Sequence, residues 1–216
     1  MAAELVVVEH PVLADRLAVL RDAATPHGAF RQALHEASAI LAVESTRDLP
    51  TVERTIDTPL EPAGVRRLEA QITIVPVLRA GLGMVEGFLR LLADARVGHL
   101  GMQRDEDTLE PTGYYERLPP GMGEAYVFLL DPMLATGGSA VAALARLKAN
   151  GARQLRLICL VAAPEGVEAV REVVLDGDAA RTQRGVSPSC RRRGRRHPRA
   201  RAGCSRSRRA LGLGRR

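Results

Sequence analysis

Two kinds of apolar pattern alternate along this chain. Short runs rich in apolar residues recur at Gln71 to Leu78, Tyr126 to Leu130 and Leu155 to Ala162, and Arg96 to Met102 reads as a further short strand. Mainly apolar runs of this length, bounded by turn residues, read as strands. Helical spacing fills the gaps, from about Val85 to Leu92 and over 139–149. Asn150-Gly151 stops the second helix. A third helix opens on Ala163-Pro164-Glu165, with proline and an acidic residue in its first turn, and runs to about Val174. Residues 5–49 read mostly as helix. Leu13, Leu17 and Leu20 share one face, Phe30, Leu34, Ala37 and Leu41 another, and Thr25-Pro26-His27-Gly28 separates the two. Residues 50–70 alternate in part before Pro59, Pro62 and Gly64 break the pattern, which predicts an irregular hairpin or arm. Strand-helix-strand alternation predicts an α/β fold: a mainly parallel sheet flanked by helices, joined by right-handed crossovers, with a helical region at the N-terminus.

The stretch from Tyr126 to Ser139 carries the strongest chemistry. An apolar run ends on Asp131, and after Pro132-Met133-Leu134-Ala135 the residues Thr136-Gly137-Gly138-Ser139 open a helix. Backbone N–H groups are unpaired at a helix N-terminus and its dipole favours an anion, so a strand–loop–helix unit of this kind can cradle a phosphate. Gly137 and Gly138 allow close backbone approach, and Thr136 and Ser139 add hydroxyl donors. Asp131 stands at a strand's carboxyl end, where open α/β sheets place ligand-binding groups. By itself, Gly-Gly between strand and helix is also compatible with a plain turn. No Gly-Lys-Ser/Thr follows, which excludes a Walker A loop, and Gly-x-Gly-x-x-Gly is absent.

A second unit of the same kind follows Leu78, in Arg79-Ala80-Gly81-Leu82-Gly83-Met84. Arg79 is either an ordinary surface arginine or the cation for a second anionic group. The segment Gln103 to Pro111 is charged and turn-rich, and its composition reads as a solvated loop.

Leu130 to Ser139 resembles the phosphoribosyl-diphosphate (PRPP) loop of uracil phosphoribosyltransferases, whose Asp-Pro form is typical of that family. Thr108-Leu109-Glu110-Pro111, Tyr114-Tyr115, Leu118-Pro119 and Leu160 to Gly166 agree with further family motifs, and His10-Pro11 and Glu44-Ser45-Thr46 with segments that build the fold and subunit interface. The resemblance covers residues 1 to about 175. It implies a phosphoribosyltransferase fold and a glycosyltransferase reaction, in which uracil and PRPP give UMP and diphosphate with Mg²⁺ bound mainly through the diphosphate. Arg79 and Arg104 would grip the diphosphate, Arg104 from a mobile loop that closes over PRPP. Asp131 would contact the ribose hydroxyls. Pro132, Met133, Leu134, Ala135, Thr136, Gly137, Gly138 and Ser139 would complete the PRPP site, with Ala135 to Ser139 around the 5′-phosphate. Asp131, Arg79 and Arg104 are thus the expected catalytic residues. The resemblance also implies a homo-oligomer and GTP as an effector.

Composition changes this picture mainly at the C-terminus. The net charge is +6, yet residues 181–216 hold 14 arginines and no Asp, Glu or Lys. Removing those 14 positive charges leaves −8 for residues 1–180, an acidic body with a basic tail. The division expected is therefore a phosphoribosyltransferase domain over 1–178, lacking its C-terminal part, and an Arg-rich disordered tail over 179–216. Family members carry there a uracil-recognition segment of the form Gly-Leu-Gly-Asp-Ala-Gly-Asp, which has no counterpart, so no uracil-binding residue is identified and transfer by this chain is in question. Three readings of the tail stand: a frameshift product of a GC-rich gene, a basic arm for nucleic acid, or a solvated tail. The basic arm gives the alternative function, a non-catalytic PRPP-fold regulator bound to RNA or DNA.

The remaining totals decide little. Apolar residues make up 46% and aromatics 3%, so the core must be mainly Leu, Val, Ala and Ile. Apolar runs are too short to span a bilayer and no secretory pattern opens the chain, so a cytoplasmic location is expected. Cys159, in an apolar run, reads as a small buried hydrophobe, and Cys190 and Cys204 lack metal-ligand spacing.

Overall fold

The structure is a computed structural model that describes residues 4–104, 111–175 and 180–185. In chain order the elements are β1 (Leu5–Val8), α1 (Pro11–Arg21), α2 (His27–Ser45), β2 (Thr51–Asp57), β3 (Pro62–Leu68), β4 (Ile72–Leu78), α3 (Leu82–Leu89), β5 (Arg96–Val97), β6 (His99–Arg104), β7 (Pro111–Arg117), β8 (Tyr126–Leu130), β9 (Met133–Leu134), α4 (Gly138–Ala149), β10 (Gln154–Cys159), β11 (Val161–Ala162), α5 (Pro164–Leu175) and β12 (Ala180–Gly185). The main sheet runs β1-β12-β10-β8-β4-β6-β7, with β5 also on β4. All its pairings are parallel except β6 with β7. The expected α/β architecture is therefore present.

The central strands are buried on both faces, which is why they read as mainly apolar runs. Along β8, Val127 and Leu129 point to one side and Phe128 and Leu130 to the other. The first pair packs with Val75, Leu157, Leu144, Leu147 and Val170, beneath α4 and α5. The second packs with Leu13, Leu17, Leu41, Met84, Phe88 and Ile158, beneath α1, α2 and α3. Two helical layers thus enclose one sheet.

Two elements depart from the sequence reading. Residues 5–8, read with the helical region, form a strand, and helix begins only at Pro11, where the His10 side chain accepts from the Val12 N–H at 3.2 Å. The Leu-Val-Val-Val run has the β-branched character of a strand, and its partner is β12, with Leu5 beside Thr182. The sheet also extends into the Arg-rich stretch. The backbone of 180–185 pairs in parallel with β10 on one side and β1 on the other. Residues 50–70 form the expected arm, a two-stranded antiparallel ribbon of β2 and β3. Cys159 is buried as expected, and burial together with the charge of Asp131 raises its thiol pKa well above the ordinary value. Cys190, Cys204 and the remainder of the tail lie outside the described residues.

Candidate functional site

The order of the strands explains where a ligand can bind. From β4 the chain crosses through α3 to β5 and β6 on one side, and from β8 it crosses through α4 to β10 on the other. Strands β4 and β8 are neighbours, with Pro76 beside Leu130. Connections that diverge from two adjacent parallel strands leave a crevice at their carboxyl ends. The loop after β4 carries Arg79, and the loop after β8 carries Asp131 to Gly137. Both open into that crevice, a cavity of about 230 Å³.

Arg79, Asp131, Met133, Leu134, Ala135, Thr136, Gly137, Gly138 and Ser139 all line the cavity. Pro132 does not; it lies behind, where its carbonyl accepts from the Leu160 and Val161 N–H groups at 3.2 and 3.1 Å. Val77, Leu78, Ala80, Met102 and Ala140 also contribute walls and were not singled out in the sequence. Four of them adjoin the two loops in the chain, and Met102 is brought there by the pairing of β6 with β4. Arg104 is the last residue of β6; its side chain and the loop 105–110, with the motif Thr108-Leu109-Glu110, lie outside the described residues.

The loop after β8 reaches α4 through Gly137, whose φ of +86° belongs to the left-handed region that glycine adopts without strain. The first intrahelical bond runs from the Val141 N–H to the Gly137 carbonyl at 2.8 Å. The N–H groups of Gly138, Ser139 and Ala140 therefore precede the helical ladder and face the cavity end of α4. Opposite them, Gly81 donates its N–H to the Val77 carbonyl at 2.8 Å and closes the Arg79 loop tightly onto β4.

Asp131 is 9% exposed. Its backbone N–H donates to the Ile158 carbonyl at 3.1 Å, which holds it in line with the sheet. Burial pushes its carboxyl pKa up, against a smaller opposing effect from the Met133 N–H, which donates to Oδ1 at 3.4 Å. Arg79 is exposed at the cavity edge. The site thus offers a cationic fork on one side, a helix N-terminus on the other and one carboxylate at the floor. Among the described residues, no three His, Cys, Asp or Glu side chains gather as metal ligands.

Fold and cavity define an α/β protein with a crevice at the carboxyl ends of two parallel strands, lined by an arginine, a carboxylate and a helix N-terminus. Comparison with known proteins makes this specific. The family model for uracil phosphoribosyltransferase matches residues 7–178, and the chain belongs to that family. It is 52% identical over 166 residues to the uracil phosphoribosyltransferase of Salinibacter ruber, covering 77% of this chain and 79% of that one. With the enzyme of Symbiobacterium thermophilum it shares 50% identity over 175 residues, 81% of this chain and 84% of the other. Among solved structures, the AQ2163 protein of Aquifex aeolicus superposes with a TM-score of 0.75 at 33% identity, covering 83% of this chain and 88% of that one. The family match ends at 178, where the Arg-rich composition begins.

Proposed function

We propose that this chain is a transferase that moves the 5-phosphoribosyl group of PRPP to uracil, giving UMP and diphosphate in pyrimidine salvage. Relatives near 50% identity bear the name uracil phosphoribosyltransferase. The assignment of residues to roles is supported by one observation, the shared cavity of the Arg79 loop and the Asp131–Ser139 loop. In this reading Ala135 to Ser139 bind the 5′-phosphate through backbone N–H groups and hydroxyls. Asp131 accepts from the ribose hydroxyls, and Arg79 and Arg104 bind the diphosphate, for which a planar guanidinium suits paired oxygens.

The reaction breaks the anomeric C–O bond to diphosphate and forms a C–N bond to uracil, whose N–H proton is lost. The ribose gains positive character in between, and negative charge builds on the leaving group. The protein then acts mainly by positioning and by charge already in place. Magnesium belongs to the same proposal. With one carboxylate at the cavity floor, the residues fit a cation that arrives on the diphosphate. Its chemistry would be to offset the charge of the departing diphosphate.

The division into a domain over 1–178 and an Arg-rich tail over 179–216 belongs to the reading too, its boundary supported by the end of the family match at 178. A homo-oligomer, GTP as effector and a cytoplasmic location are parts of the reading as well; no helix among the described residues is long and apolar enough to cross a membrane. For the oligomer, the support is the β2–β3 ribbon. Leu60 at its tip is 95% exposed, and Ile56 and Leu68 are exposed too, whereas a lone two-stranded ribbon is marginal in water. Light scattering of the wild-type chain and of Ile56→Asp tests it, with a smaller species expected for the variant.

The deciding assay incubates the full chain with labelled uracil, PRPP and Mg²⁺, beside Arg79→Ala. UMP formation that is lost in Arg79→Ala supports the whole reading. PRPP binding without UMP confines it to the phosphoribosyl half. No PRPP binding by the wild-type chain overturns it.

A further inference from the structure

The back of the 135–139 loop rests on the first turn of α5, and backbone makes the contact on both sides. Gly166, the third residue of α5, is buried. A Cβ there would stand 2.5 Å from the Ala135 carbonyl oxygen and 2.9 Å from Leu134 Cγ. Gly137 faces it from the loop: a Cβ on Gly137 would lie 3.0 Å from the Gly166 carbonyl oxygen and 3.1 Å from the Ala169 Cβ. The nearest obstacle at Gly166 is a carbonyl oxygen, so no rotamer change relieves it. The same segment is tied down by the Ala163 N–H, which donates to the Leu134 carbonyl at 2.7 Å, and by the parallel pairing of β9 with β11.

We infer that Gly166 is a positioning residue for the phosphate subsite. Its missing side chain lets the 135–139 loop sit back against α5, which sets how deep the cradle is and how its N–H groups converge. This rests on the assignment of that loop to the 5′-phosphate. Gly166 itself is not among the residues that line the cavity and acts through Leu134, Ala135 and Gly137. A methyl group at 166 pushes the loop toward the cavity from behind. Alanine is the better helix former, so α5 itself tolerates the change and the strain falls on the loop.

The test separates the two halves of the cavity. Ribose 5-phosphate reports on the 135–139 loop, and inorganic diphosphate with Mg²⁺ reports on the Arg79 side. Titration calorimetry of the full chain with each should show Gly166→Ala weakening ribose 5-phosphate about tenfold or more while diphosphate affinity stays unchanged. Gly28→Ala, in the first turn of α2 with nothing within 4 Å of its Cβ position, is the control and should change neither. Unchanged ribose 5-phosphate affinity in Gly166→Ala overturns the inference. Equal weakening of both ligands overturns it too, since a general loosening would do that. If Gly166→Ala does not fold, Ala169→Val presses on Gly137 from the same side and decides by the same comparison. A wild-type chain that binds neither ligand removes the phosphate assignment and this inference with it.

Discussion

Gly81 is seated against the carbonyl oxygen of Leu130, the residue before Asp131. A Cβ on Gly81 would overlap that oxygen and would also stand 2.7 Å and 2.9 Å from the Val77 N and O atoms. The Arg79 loop therefore meets the end of β8 backbone to backbone, one residue before Asp131, and Arg79 is carried within two residues of that contact. Gly81→Ala should destabilise the chain by about 1–3 kcal/mol, the usual penalty of overpacking. It should also weaken diphosphate binding. Urea unfolding beside calorimetry checks this, and an unchanged midpoint would show that the contact is looser than described.

Arg79→Ala should behave differently, because Arg79 is exposed. Its stability should stay within about 0.5 kcal/mol of wild type. Transfer, or PRPP affinity if transfer is absent, should fall about 10²–10³-fold if the guanidinium acts mainly on the leaving diphosphate. Arg79→Lys should restore only part, since an ammonium cannot bind two oxygens in a planar fork. A lysine variant equal to wild type would reduce the role to net charge.

Asp131 makes pH a probe. Burial raises its carboxyl pKa in the folded chain, so at mildly acidic pH the folded form keeps a proton that the unfolded chain has released. The cost of burying the carboxylate is absent below the unfolded value of about 3.9 and complete above the raised folded value. This group's contribution to stability therefore falls as pH rises through that window. PRPP affinity should move the opposite way, since the ionised form accepts from the ribose hydroxyls. Asp131→Asn should raise the melting temperature of the unliganded chain at neutral pH and flatten its pH dependence, while weakening PRPP. Thermal melts and titrations from about pH 4 to 7 check both signs.

Arg156 gives a prediction about the scaffold. It is buried, donates to Asp48 Oδ1 and Oδ2 at 2.8 and 3.2 Å and to the Ser45 carbonyl, and lies 5.5 and 5.6 Å from the ring centroids of Tyr126 and Phe128. It joins the end of α2 to β10. Asp48 remains 44% exposed and can be rehydrated, whereas the guanidinium cannot. Asp48→Ala, which strands the buried cation, should therefore cost more than Arg156→Met, about 3 against about 1–2 kcal/mol. The reverse order in chemical denaturation would mean that the cation is better solvated than its burial indicates.

Much of the site was legible because it is local. The apolar run, its terminal Asp131, the glycine pair and the following helix are contiguous. Each obeys a short-range rule: strand pattern, left-handed turn, helix N-terminus. The second loop was legible in the same way, though nothing in its own spacing decides between a surface arginine and an anion ligand. The wall supplied by Met102 was not visible, because it comes from β6, which only the sheet order brings to the cavity.

From residues alone come the alternation of strands and helices, the α/β class, the identity of both loops and the change of composition near 178. These depend on patterns within a few residues, which backbone geometry and side-chain period translate directly into local structure. Tertiary structure alone decided that β4 and β8 are neighbours with diverging crossovers, and hence that Arg79 and Asp131 share one cavity. It likewise decided that Leu5–Val8 is a strand, since its partner begins at Ala180. The close backbone contacts at Gly81 and Gly166 belong to the same group. The physical reason is common to all of them: parallel pairing and glycine-mediated packing join segments far apart in the chain, and no local pattern of residues records which partner a strand or a glycine will meet.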